Sequence, residues 1–394
     1  MLLHKYKSEG NSALLLRCLG HDLPYFLRRG TISCFFCTPV LQCSYTGVIL
    51  QGDEYVYFKD LLRYRQTWLG VALLWIILLH CPFDFGPFSF FQSLGYGGVD
   101  ICLFASGIGC FYSLSKESDV TSFMKRRVKR LAPTYIIFIV IWLAYRYAVG
   151  RFGLQMALGN LLALQNFTGL GQEFNWYISA IFLLYILAPY FKGVIDRSSS
   201  LGRFGFFAFL ILCSIPFWGA DTYIITVTRL PIFYLGMLFA DVCKKDAKIT
   251  RKHAIGLAAA FLLGAGFLVG SVVLAKPYLW SHGLYWYPFV LITPPLCVGI
   301  SCVARMLERI KVTKWLVSLV SLCGDYSFEV YLVHLLLITC IPIVIDALGL
   351  AKVGYLVWMA GVVALCAGCF ILRRVAGLLT DVLSRCSRKT KQET

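Results

Sequence analysis

Apolar runs long enough to cross a lipid bilayer recur along almost the whole chain from residue 68 onward. A bilayer core is about 30 Å thick, so an α-helix needs about 20 apolar residues to span it. Of the 394 residues, 59% are hydrophobic and only 14% are charged. Soluble domains carry about 25% charged residues. The sequence therefore predicts an all-α, polytopic transmembrane helix bundle in the cell membrane.

Hydropathy places about ten spans in the chain. They cover residues 68–83, 94–114, 134–149, 174–191, 204–220, 223–242, 254–275, 284–303, 327–347 and 354–372. Between residues 150 and 173, Gly, Gln and Asn mix with leucines, which fits either an outer loop or a re-entrant segment. We expect three regions: an N-terminal extension over 1–60, a transmembrane domain over 61–375 and a basic cytoplasmic tail over 376–394.

Lys and Arg residues are distributed unevenly between alternate connections. One set of connections, together with the C-terminal tail, holds 24 of them, whereas the other set holds five, namely Arg146, Arg151, Arg229, Lys276 and Lys352. Because cytoplasmic loops carry the excess of Lys and Arg, this split predicts an even number of spans with both termini in the cytoplasm. It also explains the net charge of +17 without nucleic acid, since the basic residues follow the ends of apolar runs.

Residues 1 to 58 differ from the rest of the chain. They combine scattered charge with four cysteines and one weak apolar stretch, and they lack the n-region and h-region of a signal peptide. Either this is a loosely ordered cytoplasmic extension or the true start lies downstream. No metal site is predicted, because neither CxxC pair is accompanied by a second pair or a histidine, these pairs being Cys34/Cys37 and Cys366/Cys369.

Two polar residues inside apolar runs are functional candidates, because a polar group in a bilayer is costly. His80 ends the run LGVALLWIILLH, and an imidazole can take a proton from a hydroxyl near neutral pH. If Trp68 marks the inner interface, His80 lies about 18 Å further along a helix, toward the outside. The alternative is a histidine satisfied by a neighbouring helix. Asp100 lies in GYGGVDICLFASG, whose small residues allow close helix approach, and it must be protonated, paired or in a wet cavity.

Further polar residues have two interpretations each. The stretch KRRVKRLAPTY, with Arg126, Arg127 and Arg130, is either a topology signal or a contact for the phosphates of a cofactor. Tyr331 and His334 share a helical face and fit either core packing or a cofactor lining. Arg229 is either an interfacial arginine or a contact for an acceptor.

Six ordered motifs, from residue 68 to about 375, resemble the acyltransferase 3 family of multispanning membrane acyltransferases. They are the histidine closing the first span (His80), GGVDICLFASG, RRVKRLAPTY, NWYISAIFLLYILAPY (with Trp176 and Tyr177), RLPIFYLG (with Arg229) and YSFEVYLVH (with Tyr331 and His334).

The resemblance implies transfer of an acyl group, usually acetyl, from cytoplasmic acyl-CoA to a hydroxyl of an envelope carbohydrate or lipid-linked glycan near the outer face. It implies a catalytic role for His80, with Asp100 as the group that orients it or shares its proton. The cofactor contacts would then be Arg126, Arg127, Arg130, Tyr331 and His334. The acceptor contacts would be Trp176, Tyr177 and Arg229.

Two departures from the family pattern and one rival function stay open. Many relatives carry Arg or Lys eleven residues before the histidine, where this chain has Leu69, so that Lys59, Arg63 or Arg65 would have to substitute. Some relatives also carry a Glu soon after the fourth-span Trp, where this chain reads WYISAIF. The rival is a secondary transporter, since ten spans with intramembrane polar residues also suit translocation. Against it, GYGGVD has no second copy in the chain.

Overall fold

The computed structural model describes residues 57–393 except 82, 84, 118, 169–175, 275–276 and 351–353. Most of the N-terminal extension expected over residues 1–60 therefore lies outside the described residues. The described residues form helices and no β-strand, with one antiparallel bridge between Tyr57 and Lys248. The all-α prediction is confirmed.

The α-helices follow one another with short connections. They are α1 (Phe58–Leu61), α2 (Arg65–His80), α3 (Ser89–Ser93), α4 (Gly97–Lys116), α5 (Val120–Ala148), α6 (Leu154–Leu161), α7 (Gln165–Thr168), α8 (Trp176–Arg197), α9 (Ser200–Leu212), α10 (Asp221–Val227), α11 (Leu230–Lys244), α12 (Arg251–Leu274), α13 (Pro277–Ser281), α14 (Tyr287–Arg309), α15 (Lys314–Asp325), α16 (Ser327–Ala347) and α17 (Gly354–Glu393). Short 3-10 helices cover Leu62–Tyr64, Gly86–Phe88 and Ile215–Phe217.

Nine helical segments of the described chain are long and apolar enough to cross a membrane. They coincide with nine of the expected spans, which confirms the multispanning architecture. The remaining expected span coincides with α2, which has 16 residues. It begins as a direct continuation of α1 and the 3-10 helix Leu62–Tyr64.

Two helices extend well beyond the apolar runs. Hydropathy begins the third span at residue 134, but α5 begins at Val120, where the Asp119 carboxylate accepts hydrogen bonds from the backbone N–H groups of Thr121 (3.3 Å) and Ser122 (2.7 Å). Pro133 therefore lies inside the helix instead of opening it. Likewise α17 continues through residues 376–393, where we expected only a basic tail. Lys and Arg are good helix formers, so a helix can run on into a charged stretch.

The described residues form two compact units. Unit 1 lies within residues 1–112 and 190–325, and unit 2 lies within residues 113–189 and 326–394. Among the described residues, unit 1 contains α1 to α3, most of α4, and α9 to α15. Unit 2 contains α5 to α7, most of α8, α16 and α17.

In unit 1, glycines bring α2 into backbone contact with α15. A Cβ built on Gly70 would lie 1.9 Å from the carbonyl oxygen of Val320, and one on Gly324 would lie 1.8 Å from that of Gln66. Real Cβ atoms do not approach so closely, so only glycine fits at these two positions. Small residues that let helix backbones meet are typical of membrane bundles.

Trp68 is fully buried in unit 1, and its indole N–H donates to the Ser301 hydroxyl at 2.8 Å. Our interpretation of Trp68 as an interface marker is therefore wrong, because an interfacial indole has to reach lipid. The helical chain instead begins ten residues earlier, at Phe58.

In unit 2, an ion pair and a small-residue contact join α16 to α17. Arg373 donates to both carboxylate oxygens of Glu329, at 3.1 and 2.8 Å, and the Glu329 side chain is buried. A Cβ on Gly361 would lie 2.4 Å from the Cδ1 atom of Ile341. The segment that we expected to be an outer loop or a re-entrant stretch contains α6 and α7, while its residues 169–173 lie outside the described residues.

We predict that Gly70→Ala and Gly324→Ala each lower the midpoint of thermal unfolding in detergent. The added methyl group meets a backbone carbonyl that cannot rotate away, and overpacking of this kind costs roughly 1–3 kcal/mol. Gly266→Ala is the matched control, because a Cβ added to this helical glycine of α12 would meet no atom of another helix within 4 Å. Unchanged midpoints for both α2 and α15 variants would contradict the packing described here.

Candidate active site

His80 is the last residue of α2. The helix ends there because Cys81 takes an extended conformation (φ −70°, ψ 133°), and a proline follows at position 82. The residue before a proline is driven out of the helical region by steric contact, so the sequence itself ends α2 at this point. The carbonyl of Cys81 accepts a hydrogen bond from the Gln92 side chain at 2.7 Å, which fixes the chain immediately after the histidine. The His80 side chain is exposed.

Asp100 and Arg229 form an ion pair inside unit 1. Arg229 Nε lies 3.3 Å from Asp100 Oδ1, and each side chain is only 1% exposed. The guanidinium also lies over the Trp286 ring, 4.9 Å from its centroid, and donates to the Thr228 hydroxyl at 3.3 Å. Trp286 is itself buried, at 1% exposure. Both charges therefore lie within the helix packing, where they compensate each other.

The sequence assigned these two residues to separate roles, Asp100 to the orientation of His80 and Arg229 to the acceptor. Their pairing was not predicted, and the two roles stay predictions. A signal for the pairing is nonetheless present, because Gly107 follows Asp100 by seven residues and Gly236 follows Arg229 by seven. Seven residues are about two helical turns, so each charge and its glycine share one face.

These two faces contact each other in the structure. A Cβ on Gly107 would lie 2.2 Å from the carbonyl oxygen of Phe233, and a Cβ on Gly236 would lie 2.2 Å from that of Phe104. Hence α4 and α11 run side by side in the same direction, with the ion pair at one end and the glycine contacts about two turns further along. This confirms that the small residues of GYGGVDICLFASG allow close helix approach.

Three cations were candidates to replace the one expected at Leu69. Lys59 and Arg63 form ion pairs with Asp246 (3.0 Å) and Glu308 (3.3 Å), and their side chains are 48% and 73% exposed. The side chain of Arg65 instead lies against α4. Its Nε donates to the carbonyl of Ala105 at 3.1 Å, and a Cβ on Gly109 would lie 3.3 Å from its Nη2.

The basic stretch lies in the first turns of α5, in unit 2. The Arg127 guanidinium is held between two aromatic rings, 5.2 Å from the centroid of Phe123 and 5.4 Å from that of Tyr185. Arg126 and Arg130 are exposed, and Arg126 pairs with Glu117. The three arginines thus divide into one oriented by packing and two at the surface.

Four predicted site residues meet in unit 2. The ring centroids of Tyr177 and Tyr331 are 5.0 Å apart, and those of Tyr331 and His334 are 5.6 Å apart. Trp176 contacts Tyr177 edge to face at 6.2 Å. Tyr331 and His334 are buried, and Nδ1 of His334 lies 3.1 Å from the Val330 carbonyl of its own helix. The structure therefore joins residues that we had divided between acceptor and cofactor.

Sequence reasoning missed the pair of Glu329 with Arg373. Arg373 also lies over the Tyr326 ring, 3.6 Å from its centroid. Glu329 stands inside the predicted ninth span, so it is a costly intramembrane acid in the same way as Asp100.

We predict that Asp100→Asn and Arg229→Gln each destabilise the protein strongly, whereas the double variant recovers part of the loss. Removing one partner leaves the other charge buried without compensation, which costs about 3–5 kcal/mol. Asp246→Asn, in the exposed pair with Lys59, is the control and should have little effect. Thermal unfolding in detergent checks all four variants, and additive losses in the double variant would contradict the pairing.

Comparison with known proteins bears on the whole transmembrane region. A family model described as "Acyltransferase domain" (Acyl_transf_3) matches residues 70–374. No curated protein and no solved structure matches the chain. The matched residues include every residue assigned above to catalysis, to the cofactor or to the acceptor, and they extend over far more than half of the chain. The chain therefore belongs to the acyltransferase 3 family and is a multi-pass membrane acyltransferase.

Proposed function

We propose that this protein transfers an acyl group, in the first instance acetyl, from cytoplasmic acyl-CoA to a hydroxyl of an envelope glycan or related acceptor. The observation that carries the proposal is the position of His80 at the exposed end of α2, in a chain that belongs to an acyltransferase family. With the orientation that the charge distribution predicts, the start of α2 faces the cytoplasm and His80 faces the outer side.

His80 would act on the acceptor hydroxyl. As a general base, the imidazole takes the hydroxyl proton while the oxygen attacks the thioester carbonyl, and the carbon–sulfur bond breaks. The CoA thiolate leaves and is protonated, so the products are an ester and free CoA. Alternatively, the imidazole itself attacks the thioester and carries the acyl group before the acceptor arrives. An acyl-enzyme that accumulates without acceptor distinguishes the second route from the first.

The arginines of α5 would hold the phosphates of the donor. Arginine presents a planar fork of donors that matches phosphate oxygens. Arg127 is already oriented by Phe123 and Tyr185, so it loses little side-chain freedom on binding. Arg126 and Arg130 are exposed and can turn to an incoming phosphate. In the same unit, Tyr331 and His334 would line the path of the donor, while Trp176 and Tyr177 would contact the acceptor.

Arg65 is our proposal for the cation that relatives carry at the position of Leu69. Residues 65 and 69 are one helical turn apart and lie on the same face of α2. A long arginine side chain can therefore reach the space beside α4 that a cation at position 69 would reach. Its contact with the Ala105 carbonyl supports this assignment over Lys59 and Arg63, which are engaged in exposed ion pairs.

We predict that His80→Ala and His80→Gln lose transfer of label from radiolabelled acetyl-CoA to total envelope glycans. Removal of a general base typically lowers the rate roughly 10²–10⁴-fold. His253→Gln is the control, because His253 is an exposed histidine at the start of α12. Activities are compared in membranes that contain equal amounts of each protein.

Normal transfer by both His80 variants would remove His80 from the mechanism. The transporter alternative predicts a different result for the wild type, namely solute uptake into proteoliposomes without acyl-CoA and no labelled product. Such a result would overturn the proposed function as a whole.

We predict that Arg126→Ala/Arg127→Ala weakens binding of CoA to the purified protein. A hydrogen bond to a charged group contributes about 1.5–3 kcal/mol, so we expect a loss of at least tenfold. Arg130→Ala tests the same surface without touching the aromatic contacts of Arg127. Arg251→Ala, an exposed arginine on α12, is the control. Unchanged affinity in all α5 variants would remove these arginines from the donor site.

A further inference from the structure

Two connections of unit 1 meet and bring together aromatic residues far apart in the sequence. Trp218 follows the 3-10 helix Ile215–Phe217, and His282 follows α13. Their ring centroids are 4.8 Å apart, with the planes inclined by 47°. Tyr278 contacts His282 edge to face at 6.1 Å. We call Trp218, Tyr278 and His282 the Trp218 cluster.

The backbone holds these rings in place. The N–H of Gly219 donates to the carbonyl of Ser281 at 3.0 Å, which ties one connection directly to the other. Gly219 (φ +82°) and Gly283 (φ +76°) adopt the left-handed conformation that glycine accepts without strain. Trp218 is 45% exposed and Tyr278 is 52% exposed. The cluster is thus an ordered but accessible surface.

The imidazole of His282 is oriented by a hydrogen bond. Its Nδ1 lies 2.7 Å from the carbonyl oxygen of Tyr278. Because a carbonyl oxygen can only accept, Nδ1 carries a proton, and in the neutral imidazole Nε2 is therefore a hydrogen-bond acceptor. Beside the exposed indole there is consequently one defined hydrogen-bond acceptor.

The Trp218 cluster lies at the same end of unit 1 as His80. Gln92 of α3 binds the carbonyl of Cys81, next to His80. Phe90 of the same short helix packs against the buried group of Val272, Leu279 and Tyr285, and Leu279 belongs to α13. A continuous series of contacts therefore connects the end of α2 with the helix that carries Tyr278.

We propose that the Trp218 cluster binds a sugar ring of the acceptor, an inference that rests on the proposed function. A pyranose has an apolar C–H face and a rim of hydroxyl groups. The exposed face of Trp218 fits the C–H face of the sugar, and Nε2 of His282 accepts a hydrogen bond from one of its hydroxyl groups. An aromatic belt at a membrane interface needs amphipathic rings at the right depth. It needs neither the backbone tie between two connections nor an oriented imidazole, which is why we favour a ligand site over a membrane anchor.

The test uses the full chain in lipid nanodiscs and three soluble probes: maltotriose, xylotriose and triacetylchitotriose. Binding is followed by saturation-transfer NMR and titration. We expect at least one probe to bind, Trp218→Ala to weaken it about tenfold, and Trp218→Phe to keep most of the affinity. His282→Leu should weaken binding roughly three- to tenfold, and His282→Gln, which restores an acceptor oxygen, should weaken it less. Trp315→Ala, an exposed tryptophan of α15, is the control.

Kinetics then separate this inference from the proposed function. In acyl transfer, Trp218→Ala and His282→Leu should raise KM for the glycan acceptor and leave the affinity for acyl-CoA unchanged. Transfer with an unaltered acceptor KM in Trp218→Ala and His282→Leu would overturn the sugar site while the enzyme function stands. Probe binding that depends on Trp218, without any acyl transfer by the wild type, would support the sugar site and overturn the proposed function. If no probe binds the wild type at millimolar concentration, or Trp218→Ala only lowers the amount of protein in the membrane, the sugar site is wrong.

Discussion

The ion pair between Asp100 and Arg229 is the constraint on which the arrangement of unit 1 depends. Neither charge is tolerable alone among packed helices, because taking an ion out of water costs several kcal/mol that only a close partner returns. The pair therefore fixes the start of α4 against the start of α11. The glycine contacts about two turns further along fix the same two helices at a second level. Two such points leave α4 and α11 little freedom to slide or rotate.

This interior contrasts with the end of α2. The buried charges are enclosed, with 1% exposure each, whereas His80 lies at the exposed end of its helix. Backbone contacts through Gly70 hold the body of α2 against α15, and the hydrogen bond from Gln92 holds the residue after His80. The helix α2 is thus held in place, and it presents the His80 imidazole, which we propose as the reactive group, where substrates can reach it. Function requires this combination, since proton transfer demands a fixed distance and access for the acceptor.

Hydropathy and the family motifs allowed the architecture and the candidate residues to be predicted, but not their partners. Apolar runs predict helical spans because the bilayer core holds no water, so the backbone N–H and C=O groups of a span must bond to one another within a helix. They miss polar helix extensions, which is why α5 begins 14 residues before its predicted start, at Val120 instead of residue 134. They also do not show which helices are neighbours, so Asp100 and Arg229 received separate roles. The seven-residue spacings from Asp100 to Gly107 and from Arg229 to Gly236 are visible in the sequence. They indicate the ion pair only once α4 and α11 are known to be parallel neighbours.

The departure at Leu69 shows how a position in a motif differs from a position in space. Counted along the chain, the cation expected from the family resemblance is missing. Counted around α2, Arg65 stands on the same face one turn earlier, and its guanidinium lies beside the small residues of α4. Leu69 itself is buried, with 7% exposure, so a cation there would have to find its partners inside the bundle. In this way α2 has a positive charge against α4, on Arg65, although its buried position 69 is apolar.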